Sequence, residues 1–206
     1  HLTFGTINAL ALRKLDYRIG VSDAMVDLLI SRGFPADRFY TIYNGIDFTP
    51  PPPQGDRLEY LRSLGADVDE KSVVVGIAAR MNPVKDMVTL VRGFAAGYAQ
   101  CPRLRLIIAG DGPERGRLAA LARELGVERQ VCFAGWISGG MDRFYSALDI
   151  NALTSLSETF PYALTEGARF HLATVATAVG GIPYLIDQNV NGYLIQPGDW
   201  QTLGAH

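Results

Sequence analysis

Short apolar runs alternate with amphipathic stretches along almost the whole chain. The run VVVGIAA at residues 73–79 suits a strand buried on both faces, and the amphipathic stretches between such runs suit crossover helices. This periodicity predicts strands at 17–21, 39–43, 72–79, 104–109, 131–134, 150–153, 174–178 and 192–195. Helices are predicted at 56–64, 84–98, 114–125 and 141–148, with further ones opening on Ser22 or Asp23 and beginning at the end of the sequence. A helical start precedes the first strand, and a short helix follows the Gly180-Gly181 turn. Strand after helix after strand gives an α/β chain with a Rossmann-like, doubly wound parallel sheet, whose ligands bind at the carboxyl ends of the strands.

Two stretches interrupt the pattern. Asn44-Gly45-Ile46-Asp47 reads as a turn, and Pro50, Pro51, Pro52 and Pro53 form a stiff, extended run that cannot join a sheet interior. The expected division is therefore residues 1–47 as the trailing element of a preceding domain, 48–55 as a linker and 56–206 as the main domain. A start without Met and an end inside a nascent helix read as a piece of a longer protein.

Composition narrows the partners. With 206 residues, 48% hydrophobic and a formal net charge of −2, the chain can bury a sizeable core but offers no general attraction to nucleic acid or an anionic membrane. Any anion site must be local. No apolar run approaches the ~20 residues of a spanning helix, and nothing resembles a signal peptide. Cys101 and Cys132 lack metal-ligand spacing and read as buried, reduced thiols, as suits a cytoplasmic protein.

The chemistry centres on SETFPYALTE, residues 157–166. Pro161 fits the first turn of a helix running through Tyr162, Leu164 and Arg169, which leaves Glu158 outside the helix start and Glu166 about a turn and a half inside. Eight positions correspond to roughly 12 Å along a helix axis, too far for two carboxylates to share a proton. The spacing suits the two ends of an elongated ligand such as a nucleoside diphosphate-sugar, with the open N–H groups of the first turn taking the phosphates. The residues leave another possibility open: a capping box between Ser155 and Glu158, with Glu166 a solvated helix residue.

Arg80 and Lys85 bracket the break after the 72–79 strand. Lys85, expected in the first turn of the next helix, opposes the helix dipole unless an anion is present, and a diphosphate between the two cations would supply one. Two ordinary surface cations are the alternative. Gly110-Asp111-Gly112 nearly matches a dinucleotide fingerprint, but Arg115 stands where the third glycine is needed, so it reads as a tight turn. Asp67-Val-Asp69 reads as a surface turn rather than a metal site. His171, two turns into the predicted helix, reads as a packing or surface residue rather than a base.

Taken in order, VSDAMVDLLISRGFPADRFYTIYNGID, GIAARMNPVKDMVTLVRGF, LRLIIAGDGPER, SETFPYALTEGAR and VATAVGGIPYLIDQNVNGYLIQPGD resemble the carboxyl-terminal, donor-binding half of a family 4 retaining glycosyltransferase of the GT-B fold. The resemblance implies an E-x7-E motif at Glu158 and Glu166, the first contacting the donor sugar and the second the ribose. It implies a catalytic role for Arg80, Lys85 and Glu158 around the diphosphate. Phe160, Pro161, Tyr162 and Leu164 would lie by the donor, although Pro161 has no N–H to give, and Gly135, Trp136 and Ile137 would pack on the base. His171 and Ala173 depart from the family's usual Gly and Pro, which changes the turn after the helix.

The same resemblance implies a nucleotide-sugar donor as substrate, no cofactor and no metal. It implies a glycan or lipid-linked acceptor met through a missing amino-terminal domain, and no nucleic acid. The whole protein would be cytoplasmic, with a peripheral association at the inner face of the membrane, and active only at full length. Rival functions are a nucleotide-sugar epimerase of the same fold, a non-catalytic nucleotide- or sugar-binding module, and a nicotinamide-dependent oxidoreductase, which the spoiled fingerprint disfavours.

Overall fold

The computed structural model describes residues 11–49, 52 and 55–206. Most of the predicted amino-terminal helical start, and Pro50, Pro51, Pro53 and Gln54 of the expected linker, lie outside the described residues. Two parallel sheets are present. The smaller pairs β1 (Arg18–Gly20) with β2 (Phe39–Thr41). Helix α1 (Asp23–Ser31) crosses between them and is capped by the Ser22 side chain, which accepts from the Met25 N–H.

The larger sheet has six strands in the order β5-β4-β3-β6-β7-β8, all parallel. They are β3 (Val73–Ala78), β4 (Leu104–Ala109), β5 (Val131–Gly135), β6 (Ile150–Leu153), β7 (Ala173–Thr177) and β8 (Gly192–Ile195). The predicted strands are all found, with ends shifted by at most two residues. The connecting helices are α2 (Arg57–Ser63), α3 (Met87–Gln100), α4 (Arg115–Glu124), α5 (Met141–Ser146), α6 (Tyr162–Arg169) and α7 (Trp200–Ala205).

Two apolar layers hold the helices to the sheet. Leu90, Val91 and Phe94 of α3 and Leu118 of α4 pack on Leu106 and Ile108 of β4 and on Ile77 of β3. On the other face Tyr60 and Leu61 of α2 and Phe144, Tyr145 and Leu148 meet Val74 and Ile107. Side chains alternate between the layers along β4 and β5, as the pleat requires, and each fully buried Leu or Ile contributes about 1.5–3 kcal/mol.

One discontinuity makes the functional edge. From β3 the chain moves outward to β4 and β5, then returns to lay β6 on the other flank of β3. The β3–β6 ladder registers only Val75 with Ile150 and Gly76 with Asn151, while β3 runs on to Ala78 and β6 to Leu153. The two carboxyl ends therefore diverge at the reversal of strand order, which is where doubly wound sheets open a ligand crevice.

Three local expectations are corrected. Lys85 is not in the first turn of an α-helix. A short 3-10 turn (Pro83–Lys85) precedes α3, and Asp86, in the left-handed region at φ +41°, caps the helix, so Lys85 lies just before the helix rather than within its first turn. Pro161 caps α6 rather than occupying its first helical position. His171 lies beyond α6, exposed and left-handed at φ +55°, because the helix ends at Arg169. The His171 N–H donates to the Ala168 carbonyl and the Leu172 N–H to that of Gly167, a Schellman closure with His171 where glycine is usual.

Candidate functional site

The divergent ends of β3 and β6 wall a cleft of about 330 Å³ with the first turn of α6. Its lining includes Arg80, Lys85, Glu158, Phe160, Pro161, Tyr162 and Glu166, from two separate stretches of sequence. Seven of the predicted site residues are thus brought together. Leu164 is not among them: it is 3% exposed and packs into the core, because the third residue of α6 faces the sheet. Gly135, Trp136 and Ile137 close β5 on the same edge of the sheet but do not line the cleft; Trp136 is 77% exposed and Ile137 packs on the core.

The cation side is built by close backbone contact. A Cβ on Gly110 would lie 2.1 Å from the Ala79 carbonyl oxygen, and one on Gly112 would lie 2.3 Å from that of Met81. Glycine is needed at both because the turn after β4 packs on the chain flanking Arg80. The near-fingerprint therefore serves this protein's own backbone. Arg80 is exposed and has no carboxylate partner among the described residues. Beyond it, the Asn82 side chain accepts from the Lys85 N–H at 3.3 Å, and Thr154 donates to the Lys85 carbonyl at 3.1 Å.

The acidic side is held as firmly. Lys85 Nζ donates to Glu158 Oε1 in an ion pair whose side chains are only 22% and 10% exposed. The buried Ser155 hydroxyl donates to the same oxygen at 2.6 Å. Ser155 is fixed in turn by Thr177 of β7, which donates to its carbonyl at 2.5 Å. Glu166 is half-buried, and the Tyr145 hydroxyl of α5 donates to its Oε2 at 2.9 Å. Burial, then the Glu166 charge and hydrogen bond, push the Tyr145 phenol far above its ordinary range, so it stays a donor.

The capping alternative is overturned by this arrangement. The Ser155 hydroxyl meets the Glu158 carboxylate instead of a helix N–H, α6 starts only at Tyr162, and Glu166 is anchored rather than solvated. No side chain caps α6, which leaves the first-turn N–H groups of Tyr162 and Ala163, both at the cleft, open to an acceptor. No cluster of three or more metal-ligating side chains occurs among the described residues, and Asp67-Val-Asp69 forms a turn in which Asp69 accepts from Ser72 and Lys71.

Sequence reasoning missed Ser155 and Tyr145 as partners of the two glutamates, and Gly180, whose backbone packs closely on that of Glu158. Ser155 carried a signal, its spacing of three from Glu158, but that spacing was equally a cap. Tyr145 carried none, being 21 residues from Glu166. A larger cavity, of about 690 Å³, opens at the opposite edge, near the starts of β6, β7 and β8, without a charged residue in its described lining. No described helix is long and apolar enough to cross a membrane.

Comparison with known proteins agrees with this geometry. The family pattern of the glycosyl transferases group 1 matches residues 64–206. D-inositol 3-phosphate glycosyltransferase of Mycobacterium sp. (strain KMS) is 34% identical over 176 residues, covering 79% of this chain and 38% of that protein. An uncharacterized glycosyltransferase of Methanocaldococcus jannaschii is 29% identical over 167 residues, covering 79% of this chain and 42% of its own. The chain thus spans about two-fifths of these curated relatives. The crystal structure of Anabaena HepE in complex with UDP and glucose superposes with a TM-score of 0.83 at 30% identity, over 95% of this chain and 53% of that one. The C-terminal domain of a group 1 family protein from Francisella tularensis shares the fold, with a TM-score of 0.68 at 23% identity over 78% of this chain and 85% of that one. The chain belongs to the group 1 glycosyl transferases and has the architecture of the carboxyl-terminal half of a GT-B enzyme.

Proposed function

We propose that this chain supplies the donor pocket of a family 4, retaining glycosyltransferase, and that the cleft takes a nucleoside diphosphate-sugar. The observation that carries the reading is the convergence of Arg80, Lys85, Glu158, Glu166 and the open first turn of α6 on one crevice at the reversal of strand order. A diphosphate fits between Arg80, Lys85 and the α6 N–H groups, and the two carboxylates accept from sugar and ribose hydroxyls. Because HepE is described in complex with UDP and glucose, UDP is the first nucleotide to test.

Lys85 need not abandon Glu158 to take a phosphate oxygen, since an ammonium carries three N–H donors. Its contact with Glu158 also shields the incoming diphosphate from the carboxylate. As the glycosidic bond to the diphosphate lengthens, Arg80, Lys85 and the α6 N–H groups stabilise the charge that develops on the leaving group. Cations and helix start together do what a metal does in other transferases, so chelator should leave UDP binding unchanged. The base packs toward Gly135, Trp136 and Ile137. The acceptor, a glycan or lipid-linked sugar, is met by a further domain, and donor binding without transfer is expected of this chain alone. Residues 1–47 belong with that other domain and 56–206 with the donor domain.

Calorimetry of the chain with UDP and with uridine tests the assignment. Arg80→Ala combined with Lys85→Ala should weaken UDP at least a hundredfold, as expected for two charge-assisted contacts of about 1.5–3 kcal/mol each, and leave uridine within about twofold. Equal losses for both ligands would sink the phosphate assignment.

A further inference from the structure

We infer that Tyr145 is a positioning residue for nucleotide binding: its buried hydroxyl fixes one oxygen of Glu166 and so aims the other at the nucleoside's ribose. The inference rests on the donor-pocket reading of Glu166 and goes beyond it by naming the group that sets that carboxylate's orientation.

Tyr145 is 1% exposed and is held on several sides. Its ring meets Phe144 edge-on at 5.5 Å and stacks on Phe170 at 6.3 Å and 17°. The hydroxyl reaches Glu166 Oε2 at 2.9 Å from an element outside the cleft lining. A Glu side chain has three rotatable bonds, and no other hydrogen bond or ion pair among the described residues restrains the half-exposed Glu166 carboxylate. With Oε2 engaged by a rigid donor, Oε1 is the oxygen with its acceptor capacity free for a ligand. A ribose offers two neighbouring hydroxyls as donors, and a carboxylate already oriented loses less freedom on meeting them.

The phenol also suits the task chemically. Burial and the adjacent carboxylate push the phenol far above its ordinary range, so it remains a donor at neutral pH. Packing alone does not require the hydroxyl, because phenylalanine would fill the same space against Phe144 and Phe170. A purely structural Tyr145 would therefore affect all ligands of the cleft alike.

The test is calorimetry of the 206-residue chain and its variants with UDP, 2′,3′-dideoxy-UDP and inorganic pyrophosphate. Tyr145→Phe should weaken UDP about tenfold, corresponding to ~1.4 kcal/mol, and leave the dideoxy analogue and pyrophosphate within about twofold. In the Glu166→Ala background the same change should have no further effect on UDP, since its only route is through that carboxylate. If Glu166→Ala weakens UDP selectively but Tyr145→Phe does not, or if Tyr145→Phe weakens all three ligands equally, the positioning role is wrong and the donor-pocket reading stands. If Glu166→Ala itself fails to separate UDP from the dideoxy analogue, the ribose reading of Glu166 falls, and the role of Tyr145 with it.

Discussion

Replacing Gly180 by alanine probes how rigidly Glu158 is held. Gly180 follows β7 at φ +54°, and a Cβ there would sit 1.6 Å from the Glu158 carbonyl oxygen and 2.7 Å from its carbonyl carbon. Non-bonded carbons settle about 3.5–4 Å apart, so one of the two backbones must move by roughly 2 Å. The left-handed conformation costs alanine about 1–2 kcal/mol, and overpacking adds about 1–3 kcal/mol, toward the upper end when the obstacle is backbone. Gly180→Ala should therefore cost about 3–5 kcal/mol. Gly198→Ala is the matched reference, with φ +80° and nothing within 4 Å, so it carries only the conformational part. Urea unfolding of both variants, compared at equal m, should place Gly180→Ala at least 2 kcal/mol below Gly198→Ala, roughly the overpacking share. Only the former should weaken UDP, because displacing the Glu158 backbone pulls its carboxylate from Ser155 and Lys85. Equal losses of stability would show that the Gly180 loop yields freely and would refute the rigid coupling.

His171→Gly should raise stability by about 0.5–1 kcal/mol, the relief of left-handed strain less the extra freedom of an unfolded glycine; a lowered melting temperature in calorimetry would contradict it. Burial pushes the Cys132 thiol up to about 11 from an ordinary 9.0. The unfolded chain then loses that proton first, so stability is full below about pH 9 and declines toward pH 11, and Cys132→Ala should flatten the decline across this window. An unchanged slope would argue against it. Lys85→Ala should weaken UDP more than Arg80→Ala does, because it also bares the Glu158 carboxylate, and adding Glu158→Gln should recover part of the loss; equal single-variant effects would contradict the pairing.

The sheet was legible because its strands announce themselves. VVVGIAA and LRLIIA are too apolar for any exposed role, and their parallel pairing follows from the helices between them. The site was half legible. Glu158 and Glu166 stood out by spacing, and Arg80 and Lys85 by their place at a strand end. What spacing could not show was the reach of tertiary contacts: Tyr145 to Glu166, Thr177 to Ser155, Gly180 against Glu158. Local rules misplaced Lys85 because the periodicity of α3 extends back through residues that form a 3-10 turn instead, and only the left-handed Asp86 marks the true start. They misplaced His171 for the opposite reason: a non-glycine residue at a Schellman position looks like more helix.

If the cleft holds a diphosphate as proposed, its own charges explain why no basic surface is needed. Arg80 and Lys85 are balanced by Glu158 and Glu166, so the four side chains contribute no net charge, in keeping with a formal net charge of −2 for the whole chain. Long-range attraction of a diphosphate is correspondingly absent. Selection must then come from placement at short range. Lys85 is already committed to Glu158, and Glu166 to Tyr145, whereas Arg80 and the first turn of α6 are uncommitted. A ligand carrying only negative charge gains from Arg80, the helix start and the remaining N–H donors of Lys85, but it also meets two fixed carboxylates, of which Lys85 shields only Glu158. A ligand that also presents hydroxyls on both sides of its phosphates turns those carboxylates from repulsive to accepting. On the proposed reading of the cleft, the glutamates would favour a glycosylated nucleotide over free phosphate or pyrophosphate by opposing the wrong ligand as much as by holding the right one.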